Sequence, residues 1–148
     1  MLKIKDLECI LLIDDDKPTN LIHKKVIEKT GLEVDVKALN SAQEALEFLT
    51  CTGKYEHNPS VSKPGIIFLD INMPGMSGWE FMEAYQKLSD SQKARIVVIM
   101  LTTSLNNSDR ERALRNDSIT TFYHKPLRAN MVMELINQYF DSGTETRW

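Results

Sequence analysis

The stretch Gly65-Ile66-Ile67-Phe68-Leu69-Asp70-Ile71-Asn72-Met73-Pro74-Gly75 decides the fold. Four consecutive apolar residues, Ile66 to Leu69, suit a strand covered on both faces, because a half-exposed strand would alternate. Asn72, Pro74 and Gly75 are turn residues that cannot prolong it. Asp70 therefore stands at the carboxyl end of a central strand, where open α/β sheets bind ligands. A carboxylate so placed can be a nucleophile that carries a phosphoryl group or a plain turn or cap aspartate. This stretch alone leaves both open.

Two more runs have the same form. Cys9 to Ile13 ends in Asp14, Asp15 and Asp16, and Ile96 to Leu101 ends in the hydroxyls of Thr102, Thr103 and Ser104. Two weaker strand signals flank them: Glu33 to Leu39 alternates apolar and polar, and Ile119 to Tyr123 is short and holds Thr120 and Thr121. Helical patterns lie between the strands. Pro18 suits a first helical turn, and Leu21, Ile22, Val26 and Ile27 form the expected apolar stripe up to Gly31. Ser41-Ala42-Gln43-Glu44 has the form of a capping box, followed by Ala45, Leu46, Phe48 and Leu49, with Gly53 as the stop. Phe81, Met82, Tyr85 and Leu88 mark a third helix and read as core contacts. Residues 107–116 form a fourth helix in which only Ala113 and Leu114 are clearly apolar, and Met131, Val132, Leu135, Ile136, Tyr139 and Phe140 mark a fifth.

Strands thus alternate with helices about five times, which predicts a parallel sheet with helices on both faces. The three all-apolar strands belong inside and the two mixed ones at the edges. The flavodoxin-like order 2-1-3-4-5 meets that requirement. The expected organisation is one domain over residues 1–148, with a core over 8–141, a polar tail at 142–148 and no output domain. The polar loop from Thr52 to Pro64 has no role that its composition reveals.

Composition excludes several functions. With 148 residues, 42% of them hydrophobic, the chain can bury a core. A formal charge of −3 and the lack of a Lys/Arg run argue against nucleic acid. No apolar run approaches membrane-spanning length, and Met1-Leu2-Lys3-Ile4-Lys5-Asp6 is no signal peptide, so a cytoplasmic protein is expected. Cys9 and Cys51 read as two small hydrophobes in a reducing compartment rather than a disulfide. His23, His57 and His124 are scattered and read as surface or structural residues.

In the order 2-1-3-4-5 the carboxyl ends of the first, third and fourth strands are neighbours. Asp14, Asp15, Asp70 and Thr102 then share one rim, with Lys125 arriving from the adjacent edge strand. Crowded carboxylates repel and call for a cation, and hard oxygens without suitable His or Cys spacing favour Mg²⁺. An oxygen nucleophile, a divalent ion and further donors for the transferred charge are what phosphoryl transfer needs.

The motifs Leu12-Ile13-Asp14-Asp15-Asp16, Leu69 to Gly78, Met100-Leu101-Thr102-Thr103 and Phe122-Tyr123-His124-Lys125-Pro126 occur in order at suitable intervals. From Cys9 to Phe140 the chain resembles a response-regulator receiver domain, the phosphoacceptor of two-component signalling. The resemblance implies that Asp70 takes a phosphoryl group from a phosphohistidine on a sensor kinase or phosphotransfer protein. It also implies that Asp15, Asp70 and the Asn72 carbonyl ligate Mg²⁺, with Asp14 acting through water. Lys125, the Thr102 hydroxyl and the Thr103 N–H would hold phosphoryl oxygens, and the Lys125-Pro126 peptide would be cis. Phe122 matches an aromatic switch position but lacks the usual tyrosine hydroxyl, so a core role stands beside it. The output surface would be the fourth helix, fifth strand and fifth helix, including Phe122 and Pro126. Its reader would be an unidentified downstream protein, and a homodimer is left open. A short chain with a long loop before the third strand resembles receivers that partner hybrid or phytochrome-like kinases.

Asn72 and Ser104 flank the phosphoryl site and are poor general bases, which predicts slow to moderate self-dephosphorylation. Three other readings fit these residues less well. A haloacid-dehalogenase-like phosphatase wants a titrating acid where Asn72 stands. A receiver-like interaction module without phosphorylation would not need the complete acid, hydroxyl and lysine set. A nucleotide-binding module would need a Gly-rich loop after the first strand.

Overall fold

Continuous apolar runs become buried strands because only a strand covered on both faces can bury every residue. The computed structural model describes residues 2–56, 64–93 and 97–140. Strands β1 (Cys9–Ile13) and β3 (Ile66–Leu69) are buried at every position. β4 (Val97–Thr102) is buried from Val98 onward. β2 (Asp35–Leu39) alternates between exposed and half-buried residues before a buried Leu39, and β5 (Thr121–His124) is half-buried with an exposed end. All pairings are parallel, in the order β2-β1-β3-β4-β5, so the two mixed strands are the edges as expected.

Helices α1 (Lys17–Glu28), α2 (Ala42–Thr50), α3 (Gly78–Gln86), α4 (Asn107–Leu114) and α5 (Ala129–Tyr139) connect the strands. Alternate strand residues face opposite sides and build two cores. Ile10, Leu12, Ile66, Phe68, Ile99 and Leu101 pack with Ile27 of α1 and Val132, Leu135 and Ile136 of α5. Leu11, Ile13, Ile67, Leu69 and Met100 pack with Phe48 of α2, Phe81 of α3 and Ala113 of α4.

The expected face of α1 needs correction. Leu21 and Ile22 are 55% and 57% exposed, Val26 is half-buried, and of the apolar stripe only Ile27 is fully buried. The buried positions of α1 are Asn20, His23 and Ile27. Turning two large apolar side chains outward forgoes about 1 kcal/mol each, so the polar inner face must be held by other contacts, described below. Hydrophobic periodicity cannot detect such a face.

Smaller differences have local causes. The Ser41 side chain accepts the Glu44 N–H, but the Glu44 carboxylate is drawn to Lys54 and the Tyr55 hydroxyl, so the expected box has only its first half. A complete capping box lies instead at Ser77 and Glu80, before α3. Left-handed Cys51, with φ 55°, caps α2, and Gly53 opens a short 3₁₀ turn, Gly53–Tyr55, that buries Tyr55. Leu114 is 63% exposed, leaving Ala113 as the buried residue of α4. His23 is structural, His124 is exposed, and His57, the rest of the long loop (57–63) and the tail from 141 lie outside the described residues.

Candidate functional site

Strand register brings the acids together. Ile13 of β1 lies beside Leu69 of β3, so the next residues, Asp14 and Asp70, leave the sheet side by side. Their backbones extend the ladder: the Asp70 N–H donates to Ile13 C=O at 3.0 Å and the Asp14 N–H to Leu39 C=O at 3.1 Å. Asp14, Asp15 and Asp70 each present a carboxylate oxygen, all within 4.8 Å of one another; Asp14 and Asp70 are buried and Asp15 is exposed.

β5 delivers the opposing charge. Lys125 follows its last residue, and its N–H donates to Thr102 C=O at 2.8 Å. The Lys125-Pro126 peptide is cis. Lys125 Nζ lies 2.5 Å from Asp14 Oδ2 and 3.4 Å from Asp70 Oδ1. Burial, reinforced by the charge of Asp14 and opposed by Lys125, pushes the Asp70 carboxyl up to about 6. Burial would lower the Lys125 pKa, but the hydrogen bond that its ammonium donates to Asp14 and the charges of Asp70 and Asp14 outweigh it and raise the pKa. Three carboxylates against one ammonium leave an excess of negative charge in a partly dry cleft. Such a set of hard oxygens fits a divalent cation.

Thr102 closes the rim from β4. It is 1% exposed, and its Oγ1 accepts the Ser104 N–H at 3.1 Å. The half-buried Ser104 donates its hydroxyl to Asp109 Oδ2 of α4 at 2.7 Å. Thr103 and Asn72 are exposed on the loops after β4 and β3, and Pro126 is exposed after β5. Phe122 is half-buried against the α2/α3 core and packs edge-on to His124 at 5.4 Å.

This arrangement agrees with comparisons to known proteins. A family model described as the response regulator receiver domain matches residues 10–137. The chain belongs to the response-regulator receiver family. Response regulator Rcp1 of Synechocystis is 32% identical over 100 residues, 68% of this receiver, and the match spans only 65% of Rcp1's own length. The crystal structure of a two-component response regulator from Cytophaga hutchinsonii superposes with a TM-score of 0.76 at 31% identity, covering 89% of this chain and 96% of that one. The Mn²⁺-bound form of Rcp1 gives 0.71 at 25% identity over 88% and 92%.

Three residues that support the receiver's site escaped the sequence reading. Asn20 Nδ2 donates to Asp14 C=O at 2.9 Å and to Leu39 C=O at 3.0 Å, pinning the turn that carries the acids. Among the described residues its Oδ1 has no hydrogen-bond partner, and a buried amide oxygen left so costs about 1–3 kcal/mol that an apolar residue would avoid. His23 Nε2 accepts the Leu127 N–H at 3.3 Å, tying α1 to the segment after Lys125. Gly78 packs on the backbone of the acid strand: a Cβ there would lie 2.4 Å from Asp70 O and 2.9 Å from Ile71 Cα. Gly78 stands inside the receiver motif that runs from Leu69 to Gly78, whereas Asn20 and His23 give no signal that apolar periodicity could register.

Proposed function

We propose that this receiver accepts a phosphoryl group on Asp70 from a phosphohistidine of a histidine kinase or phosphotransfer protein. The observation that carries the reading is the convergence of Asp14, Asp15 and Asp70 around one ammonium at the carboxyl ends of β1 and β3. An Asp70 carboxylate oxygen attacks phosphorus, the N–P bond of the donor breaks, and the imidazole leaves as its nitrogen takes a proton. Asp15, Asp70 and the Asn72 carbonyl would hold Mg²⁺, with Asp14 acting through water. The ion would withdraw charge from the transferring oxygens and keep Asp70 ionised. Lys125, the Thr102 hydroxyl and the Thr103 N–H hold the charge that develops on the phosphoryl oxygens.

Drawing the Thr102 hydroxyl toward a phosphoryl group competes with its bond from Ser104 and so pulls on the loop leading to α4. The α4, β5 and α5 face, with Phe122 and Pro126, is then the surface a downstream protein reads. Asn72 and Ser104 are poor general bases for water, which gives slow to moderate self-dephosphorylation; a phosphoryl lifetime of seconds or less contradicts this. The site works in the cytoplasm in this reading, where ATP-fed kinases make phosphohistidine. No helix among the described residues is long and apolar enough to cross a membrane.

Mixing the protein with Mg²⁺ and a small phosphodonor and measuring its intact mass tests the proposal. One phosphoryl group is expected on the wild type, and none on Asp70→Asn or after chelation. Labelling that persists in Asp70→Asn overturns it.

A further inference from the structure

α1 turns Leu21 and Ile22 to solvent while burying Asn20 and His23, each 3% exposed. Helices bury polar side chains at such expense when those side chains hold something else in place. Asn20 holds the acid-bearing turn. His23 holds the segment that follows the other charged residue of the site: its Nε2 accepts the N–H of Leu127, two residues after Lys125. A ring that accepts at Nε2 is neutral and carries its proton at Nδ1. Burial and then the charge of Lys125 favour that neutral form by lowering the His23 pKa.

The Lys125 backbone is therefore gripped on both sides. Before the turn, its own N–H is held by Thr102 C=O; after it, Leu127 is held by His23 and is itself buried among the α1/α5 core residues. Asn20, His23, Asp14 and Asp70 also line one small cavity beneath the acids, so the supports and the supported groups are in immediate register. A long lysine has many rotamers, and only a fixed backbone lets its ammonium meet Asp14 and Asp70 together.

We infer that His23 is a positioning residue for Lys125: its imidazole fixes the Lys125-Pro126-Leu127 turn against α1 and so sets the ammonium over the Asp14 and Asp70 carboxylates. His23 touches neither the nucleophile nor the donor in this role. It acts through Lys125, and the stripe Asn20-His23-Ile27 makes α1 the common support of both charged loops.

The test compares His23→Gln, whose amide oxygen reaches the place of Nε2, with His23→Asn, whose amide does not, and with the apolar His23→Phe. Amide exchange of Leu127 reads the bond directly. It is expected to accelerate about tenfold or more in His23→Asn and His23→Phe and to stay within about threefold of wild type in His23→Gln. Phosphorylation by a small phosphodonor at saturating Mg²⁺ reads the consequence: about a three- to tenfold slower rate for Asn and Phe, with Gln retaining most of the rate. In a Lys125→Ala background the same substitutions are expected to change the rate less than twofold, because the group they position is gone. Unchanged Leu127 exchange, equal loss in Gln and Asn, or an undiminished effect without Lys125 overturns the inference. Should His23→Phe fail to fold, the Gln and Asn pair decides the matter. The kinetic arm rests on Asp70 being the phosphoacceptor; a wild type that takes no label refutes that reading, while Leu127 exchange still judges His23.

Discussion

α1 and α4 flank the same carboxyl-end rim and are built in opposite ways. α1 buries Asn20, His23 and Ile27 and holds two backbone segments of the site. α4 buries Ala113 alone and is tied to the rim by the Ser104 hydroxyl on Asp109. The difference separates two tasks. Under the proposed function, acids and lysine must stay in place for chemistry, so their support is buried, and a surface that reports a change must move at low cost, so its helix is lightly held.

The contrast can be broken most easily by core truncation. Ile27→Ala is expected to destabilise the protein by about 2–5 kcal/mol, while Leu114→Ala stays within about 0.5 kcal/mol, both measured by urea denaturation. Comparable losses at the two positions would remove the distinction. Gly78→Ala sharpens it from a third side: the added methyl meets Asp70 O, so the phosphorylation rate is expected to fall at least about tenfold. A rate equal to wild type would show that the loop yields freely.

Acid–base behaviour gives the next effect. Burial and the charge of Asp14 push the Asp70 carboxyl from the ordinary 3.8 up to about 6 in the folded, metal-free protein. Between those values the folded state binds more protons, so stability falls as pH rises through this window and is regained on acidification. Asp70→Asn is expected to flatten that slope in chelator, and Mg²⁺ to raise the stability of the wild type above the window. A slope unchanged by Asp70→Asn in a denaturation series between pH 4 and 7 would contradict the assignment. The smallest effect is expected at the α4 tether: Ser104→Ala costs roughly 1 kcal/mol or less and shows mainly as faster amide exchange in the first turn of α4. Equal acceleration in α1 would argue against a local tether.

The sequence made the sheet legible because burial on both faces leaves a local mark. Runs such as Ile66 to Leu69 admit few alternatives, and alternation from Glu33 to Leu39 places its strand at an edge. The acids were legible because each follows such a run at once, so strand order alone brings Asp14 beside Asp70. The inner face of α1 was not, because its logic is a set of hydrogen bonds to Asp14, Leu39 and Leu127, the last 104 residues away from His23. No helical pattern encodes partners at that distance. The capping box at Ser77 and Glu80 was readable in principle from its Ser-x-x-Glu spacing. At Ser41 the same spacing misled, because Lys54 and Tyr55 compete for Glu44.

The most direct measurement locates the phosphoryl group. Borohydride reduces an aspartyl acyl phosphate to homoserine, so the protein treated with Mg²⁺ and a phosphodonor can be reduced, digested and mapped by mass. Homoserine at position 70, lost when Mg²⁺ is chelated, is the predicted result. An unmodified Asp70, or homoserine at Asp14 or Asp15 in its place, would contradict the account.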